Sequence, residues 1–314
     1  MSTQSPSLVS VSRRTDIPAF YGEWFRRRLA QGWCETANPF SGQKYRVSLV
    51  PEKVLGWIFW SRNYEPFLGV LCDLHARGQR FLCHFTIVGY PRILEPRAPD
   101  ADRMIDAAHR LAEAFGPEIV QWRYDPILLS SLTPPEWHEQ NFARLVEQLK
   151  GATQRCLFSF PTMYQKTIRN LEKIAAQSDN GTIHIWSREA GDFALDDLSE
   201  LAGRLAAVAR DNGMEMHSCC EDRWVDPERN IFRAHCADWP LLERLGAGKH
   251  IPQSASLSLN VPLQPTRKQC GCYRSVDIGR YQTCAHGCAY CYAVDDPSRA
   301  QDNLAAHNFT SPGL

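Results

Sequence analysis

The fold is decided by residues 54–87, which read VLGWIFWSRNYEPFLGVLCDLHARGQRFLCHFTI. The two ends of this stretch, residues 54–60 and 80–87, are short runs of mostly apolar, β-branched and aromatic side chains, as expected for strands buried on both faces. Residues 66–76 between them read as a helix. A strand, a helix and a second strand in this order predict two parallel strands joined by a right-handed crossover.

The same alternation runs through the first 220 residues. Four more strands are predicted at 8–12, 118–124, 155–160 and 214–219, and five more helices at 19–30, 101–114, 135–150, 166–177 and 198–211. The Gly-rich turn G-x-G-x-x-G of a doubly wound sheet does not occur after any of these strands. Six strand–helix units therefore predict an α/β fold, either a TIM-like (β/α) barrel or a partial (β/α)6 barrel.

The pattern changes toward the C-terminus. We predict a barrel core over residues 1–222, a connector with a short helix at 239–245 over residues 223–269, and a cysteine-rich segment over residues 270–314 that lies across the barrel mouth. Residues 32–50 fit either a hairpin or a further strand.

Charge and hydropathy exclude several classes of protein. The 314 residues include 35 Lys+Arg and 35 Asp+Glu, so the formal net charge is zero. This balance argues against a general nucleic-acid binder, although a local patch could still bind DNA. The longest apolar run, at 54–60, is too short to cross a bilayer, and the first residues lack the layout of a secretory signal. We expect a cytoplasmic protein with no membrane partner.

Cysteine is concentrated near the C-terminus. Five of the twelve cysteines fall between residues 270 and 291, where an even spread would place about one. Disulfides are a poor explanation in a reducing cytosol, so a metal is the better one. Cys284, Cys288 and Cys291 have the spacing C-x3-C-x2-C, which lets three thiolates converge on one side of a tight loop, and Gly287 supplies the backbone freedom for the turn.

Three thiolates suit one kind of metal group in particular. A 4Fe–4S cubane held by three cysteines keeps one iron open, whereas four cysteines saturate it. An open iron can chelate S-adenosylmethionine, and one electron from the cluster then cleaves the sulfonium to a 5′-deoxyadenosyl radical. Tyr290 is suited to packing against adenine, and His286 is expected to bond a cluster sulfide or to face solvent.

At these residues, CAHGCAYCYA, the sequence resembles the radical S-adenosylmethionine superfamily, and most of all the C-x-H-G-C-x-Y-C-Y-A loop of its spore photoproduct lyase-like branch. The whole chain also resembles the bacterial domain-of-unknown-function family 1848, through SVSRRTDIPAFY at 10–21, WRYDPI at 122–127 and CGCYRSVDIGRYQTCAHGCAYCYA at 270–293. The superfamily resemblance implies a (β/α)6-type barrel, one 4Fe–4S cluster and S-adenosylmethionine. It also implies an external one-electron donor of the flavodoxin or ferredoxin type and a small-molecule or peptide substrate.

Two features depart from the superfamily pattern. Its cysteine loop usually follows the first barrel strand, whereas here the loop lies near the C-terminus, from where it can fold back over the barrel of its own chain or of a partner. The Gly-Gly-Glu that usually follows the second strand is replaced by Trp60-Ser-Arg-Asn63.

Charged side chains follow several predicted strands, where (β/α) barrels carry their catalytic groups. Arginine can hold a carboxylate through two hydrogen bonds, and aspartate can accept from ribose hydroxyls. We predict catalytic roles for Arg14, Asp16, Arg123 and Asp125, and cofactor binding by Tyr290, Arg13 and Arg62. The alternative is that these side chains form structural ion pairs, within 13–16 and within 123–125.

Other uses of the cysteines stay open at this point. A cysteine of the Cys270-Gly-Cys272 pair could join the three loop cysteines, either in a tetrahedral zinc site or in a saturated structural or electron-transfer cluster. A second cluster could form from Cys270 and Cys272 with Cys219 or Cys220. DNA photoproduct repair is a further reading, and it rests on the ten loop residues alone.

Overall fold

A computed structural model describes residues 5–176, 183–186, 192–246 and 261–314. Its strands are β1 (Ser7–Val11), β2 (Trp33–Ala37), β3 (Lys44–Ser48), β4 (Val54–Ser61), β5 (Phe81–Thr86), β6 (Val120–Tyr124), β7 (Arg155–Phe158), β8 (Glu215–Ser218), β9 (Ile231–Arg233) and β10 (Ser275–Asp277). Its helices are α1 (Ile17–Phe20), α2 (Gly22–Gln31), α3 (Leu68–Ala76), α4 (Ala101–Phe115), α5 (Pro135–Gln148), α6 (Gln165–Ala176), α7 (Leu195–Asp211), α8 (Trp239–Leu245) and α9 (Pro297–Ala305).

Eight strands form one sheet in the order β10-β1-β4-β5-β6-β7-β8-β9, and every neighbouring pair in it is parallel. β2 and β3 form a separate antiparallel hairpin. Because all eight strands run the same way, their carboxyl ends meet at one edge of the sheet, and the loops that follow them lie side by side.

The strand residues alternate between two apolar layers, as the pleat requires. Trp57 and Phe59 of β4 belong to the larger core, which they share with apolar residues of α2, α3, α4, α5 and α7. Ile58, between them, faces the second core together with Leu241 and Leu242 of α8. A Cβ added at Gly56 would lie 3.1 Å from Leu242, so α8 packs directly on the face of the sheet that carries Ile58. Both faces of the sheet are therefore buried.

All six predicted strands are present, and residues 32–50 contain the hairpin. The predicted helices are present within the described residues, although the one predicted over 19–30 is divided at Tyr21 into α1 and α2. Residue 177 of the helix predicted over 166–177 and residues 247–260 of the predicted connector lie outside the described residues. The predicted connector contributes β9 and α8, and the cysteine-rich segment contributes β10 beside β1. In the parts of the chain described, no helix is both long and apolar enough to span a bilayer.

Candidate functional site

A cavity of about 450 Å³ opens at the carboxyl edge of the sheet, and residues after seven of the eight parallel strands line it. Its volume lies within the range of small-molecule sites. The residues singled out from the sequence all line this one cavity: Arg13, Arg14, Asp16, Arg62, Arg123, Asp125, Cys284, Cys288, Tyr290 and Cys291. The structure therefore brings together side chains that are up to 278 positions apart in the chain.

The cysteine loop, residues 284–291, is a tight and largely buried turn. Gly287 at its centre has φ +72°, a left-handed conformation that favours glycine. Burial raises the pKa of Cys288 to about 12, and burial likewise raises the pKa of Cys284 and Cys291. The three thiols are thus protonated at neutral pH without a metal, and metal binding has to release their protons.

Asp16 ties this loop to the carboxyl ends of β1 and β4. Its carboxylate accepts from the backbone N–H of Ala19 at 2.9 Å, where it caps α1, and from Ser61 Oγ at 2.7 Å. It also accepts from the backbone N–H of Arg62 at 2.8 Å and lies 2.8 Å from Nε2 of His286. His286 is only 3% exposed, so the expectation that it faces solvent is wrong. One oxygen of Asp16, Oδ1, thus bonds α1 and β4, and the other, Oδ2, links the backbone after β4 to the loop.

A second buried contact fixes the other end of the loop. Arg62 forms an ion pair with Glu95 at 2.8 Å, and its guanidinium also donates to the hydroxyl of Tyr290. The Tyr290 hydroxyl in turn donates to Glu95. The hydroxyl of Tyr290 is thus held by protein groups while its ring lines the cavity; adenine packing by this ring stays a prediction.

Arg13 and Arg14 lie beside β10. The carboxylate of Asp277 accepts from Ser12 Oγ at 2.6 Å and from the backbone N–H of Arg13 at 2.8 Å. The Arg14 side chain donates to the backbone carbonyl of Gly279 at 3.4 Å. The supposed pairing of Arg13 with Asp16 is not what the structure has, because Asp16 pairs with His286 and Arg13 with groups on and near β10.

Arg123 and Asp125 do form an ion pair, as the structural alternative predicted. Asp125 also accepts from Ser159 Oγ, and the Arg123 guanidinium lies 5.1 Å from the ring of Trp60. The pair stands on the wall of the cavity, so it can meet a ligand without leaving its protein partners. Thr15 also lines the cavity, and its buried Oγ1 has no hydrogen-bond partner among the described residues.

With this geometry in hand, the chain can be compared with known families. The family model described as "Domain of unknown function (DUF1848)" matches residues 8–293. The chain belongs to the DUF1848 family. A search of curated proteins finds no match for it. The match runs from β1 to the residue two positions after Cys291, so the DUF1848 region includes the whole sheet and the cysteine loop.

The three loop cysteines of this DUF1848 site offer thiolates, which are the ligands that iron–sulfur clusters use. Zinc also accepts thiolates and needs its ligands at about 2.0–2.3 Å from one point. In the described segments no three Cys, His, Asp or Glu side chains surround a single point in this way.

Sequence reasoning missed two residues of the DUF1848 site. Glu95 is 3% exposed and pairs with Arg62, but it lies in the irregular stretch between β5 and α4 and has no motif around it. Asp277 ends β10, a strand of three residues that shows no periodicity. Because β10 is too short to be predicted, no sequence signal marks Asp277 as the end of a strand, and nothing in the sequence marks Glu95.

Proposed function

We propose that the protein is a radical S-adenosylmethionine enzyme whose 4Fe–4S cluster is held by Cys284, Cys288 and Cys291. Such a cluster, when bound, supplies an open iron and one electron for cleaving S-adenosylmethionine to a 5′-deoxyadenosyl radical. The observation that carries the proposal is that the three-cysteine loop lines the same cavity as every charged residue predicted to bind cofactor or substrate.

An open iron requires that no fourth cysteine reaches the cluster. The two sequence candidates for a fourth ligand, Cys270 and Cys272, have other cysteines as their side-chain neighbours, namely Cys220 and Cys236. This engagement supports three-cysteine ligation and argues against a saturated cluster or a four-cysteine zinc site built on the loop.

The chain's own residues divide into two groups. Asp16, Arg62 and Glu95 hold the loop in place, because their polar groups are satisfied by the loop and by each other. Arg13, Arg14 and Thr15 stand where they can bind the polar groups of S-adenosylmethionine. We assign Arg123 and Asp125 to the substrate, since their ion pair lines the same cavity from β6.

We further propose that the parallel sheet curves into a partial barrel around this cavity. Its two edge strands are β9 and β10. The backbone N–H of Tyr273, just before β10, donates to the carbonyl of Ala237, just after β9, at 3.0 Å. This hydrogen bond joins the segment after one edge strand to the segment before the other. Together with the packing of α8 on one face of the sheet, it supports a sheet that bends back toward itself.

The test is reductive cleavage of S-adenosylmethionine by the anaerobically reconstituted protein. With dithionite in place of a flavodoxin- or ferredoxin-type donor, we expect the loop to hold about four irons and the protein to form 5′-deoxyadenosine. Cys288→Ala should lower the iron content by about four per chain and abolish the product. Cys72→Ala is the matched control, because Cys72 is exposed on α3, and it should keep both.

The proposal fails if the reconstituted protein holds a full cluster yet forms no 5′-deoxyadenosine. Such a result would favour a non-catalytic iron–sulfur protein. It also fails if Cys288→Ala removes zinc instead of iron, or if Cys288→Ala leaves the iron content of the chain unchanged.

A further inference from the structure

Five cysteines outside the loop converge at one place on the cavity wall. Cys219 and Cys220 follow β8, Cys236 follows β9, and Cys270 and Cys272 precede β10. The Sγ of Cys219 lies 3.7 Å from that of Cys220 and 3.5 Å from that of Cys236. Three separate chain segments thus bring their thiols together, although the segments lie up to 53 residues apart.

The contacts continue around a closed ring. Cys236 interacts through its side chain with Cys272, Cys272 with Cys270, and Cys270 with Cys220. We call these five residues, 219, 220, 236, 270 and 272, the cysteine ring. All five line the cavity that the loop cysteines also line.

Core packing accounts for part of the cysteine ring, since Cys219, Cys236, Cys270 and Cys272 belong to the second apolar core. It does not explain why five thiols are grouped, because thiols that serve only as small core residues occur singly among apolar neighbours, as Cys34 does. A disulfide would join two sulfurs at about 2.05 Å and leave three without a role, and all twelve cysteines are free. Several thiols side by side are the donor set that a thiophilic metal uses.

Hydrogen bonds distinguish four of the five sulfurs. Arg123 donates to Cys236 Sγ at 3.3 Å and to Cys219 Sγ at 3.9 Å. Thr266 Oγ1 donates to Cys270 Sγ at 3.6 Å, and the backbone N–H of Ala237 donates to Cys272 Sγ at 3.5 Å. Such donors stabilise thiolate ligands and orient them. Among the described residues, no arginine, threonine or backbone N–H donates to Cys220 Sγ, and Cys220 is also the most exposed of the five cysteines.

The surroundings are positively charged. Arg123 contacts two of the sulfurs. Arg13 interacts electrostatically with Cys236 and Cys272, and Arg267 interacts electrostatically with Cys219 and Cys220. Several thiolates around one metal carry net negative charge, and buried charge requires a partner. Three arginines beside these sulfurs supply it.

The backbone is also shaped to present the two sulfurs nearest β10. A Cβ added at Gly271 would lie 2.9 Å from the carbonyl oxygen of Ala234 and 3.0 Å from the His235 ring. Only glycine fits between Cys270 and Cys272 without moving the chain after β9. The Cys-Gly-Cys turn is therefore packed directly against the segment that carries Cys236.

We propose that the cysteine ring is a second metal centre, in which Cys219, Cys236, Cys270 and Cys272 bind a thiophilic metal as thiolates, either an iron–sulfur cluster or a zinc ion. Sulfurs at about 2.3 Å from a tetrahedral zinc are about 3.8 Å apart, close to the 3.5 Å between Cys219 and Cys236. The thiols have to turn to complete the site, because in the described chain no three of them yet surround a single point. This inference does not depend on radical chemistry at the loop.

The experiment measures metal in the full chain, expressed and purified without oxygen. The loop variant combines Cys284→Ala, Cys288→Ala and Cys291→Ala, which leaves the cysteine ring and the four cysteines at 34, 72, 83 and 156. We expect it to retain either about four irons with sulfide or about one zinc, and the metal found identifies the centre. Adding Cys236→Ala and Cys272→Ala should remove that metal.

A loop variant with neither iron nor zinc, but with the circular dichroism of the parent, would overturn the proposal. If the loop variant does not fold, the test uses Cys236→Ala with Cys272→Ala in the otherwise unchanged chain. The metal content of this variant should fall by one centre while the loop keeps about four irons. An unchanged metal content would overturn the proposal. Cys72→Ala is again the control. Failure of the proposed function has a different signature, since the unaltered chain would then form no 5′-deoxyadenosine, whatever metal the loop variant holds.

Discussion

The carboxylate of Asp16 connects the cysteine loop to the carboxyl edge of the sheet, and Asp16→Asn separates its two tasks. One oxygen, Oδ1, accepts from Ala19 N and Ser61 Oγ, whereas Oδ2 faces the backbone N–H of Arg62 and the ring of His286. Asparagine is as good a helix cap as aspartate, so the capping bond survives. The amide nitrogen, however, would now face the Arg62 N–H, which is itself a donor.

The expected loss follows from the two bonds at Oδ2. A hydrogen bond to a charged group contributes about 1.5–3 kcal/mol, and a buried donor left without an acceptor costs a similar amount. Losing the bonds to Arg62 N and to His286 should therefore lower the free energy of unfolding by about 3–6 kcal/mol. That is a large part of the stability of a typical domain.

Anaerobic urea unfolding of the reconstituted protein measures this loss, and iron analysis shows whether the loop still holds its metal. Asp296→Asn is the matched control, because Asp296 also caps a helix with proline in its first turn, accepting from Ser298 N at 2.9 Å. With no partner in the loop, its replacement should change the free energy of unfolding by no more than about 0.5 kcal/mol. If the two variants were equally stable and both kept full iron, Asp16 would not be the anchor of the loop.

Two further substitutions test the loop and the core. Gly287→Ala should destabilise the protein more than Gly213→Ala does, because both glycines have nearly the same φ (+72° and +73°) but only at Gly287 would the new Cβ fall 2.3 Å from Arg97. We expect the backbone conformation to lower the free energy of unfolding by about 1–2 kcal/mol at both sites, and the contact with Arg97 to lower it by about 1 kcal/mol more at Gly287. Urea unfolding measures both losses, and equal losses would contradict the packing of Arg97 on the loop. Burial lowers the pKa of His138 to about 4, so below its unfolded pKa of about 6.5 the unfolded state takes up a proton that the folded state refuses, and stability should fall by about 2 kcal/mol between pH 7 and pH 5. His138→Gln should remove that share of the pH dependence, and a variant with an unchanged slope would show that His138 is not its source.

The strands and helices of the core could be predicted because each buried strand is an apolar run and each helix between strands has one apolar face. β9 and β10 could not be predicted in this way. Each has three residues, and Ile231-Phe-Arg233 and Ser275-Val-Asp277 are too short to show a period. Their place at the two edges of the sheet is set by tertiary contacts, among them the bonds from Ser10 and Ser12 to Asp277.

The residues of the site could be predicted better than their partners. Arg62 and Asp16 were found because they follow strands, yet their closest polar partners, Glu95 and His286, come from other loops. A single sequence does not show which buried charged side chains are in contact when, as with Asp16 and His286, they lie 270 positions apart in the chain. The cysteine ring has the same origin, since Cys236 lies alone in the sequence and acquires neighbours only when β8, β9 and β10 are assembled.

The pairing of β10 with β1 also has a consequence for synthesis. The first strand made is completed on its outer side by the last one, 264 residues after it ends. During translation the outer edge of β1 therefore stays unpaired until residues 275–277 have been made, and only then can Asp277 bond with Ser10 and Ser12. Contacts so distant along the chain form late and slowly, so the cysteine loop reaches its place after the other strands of the sheet, and a polypeptide that stopped before residue 275 would lack both β10 and the loop.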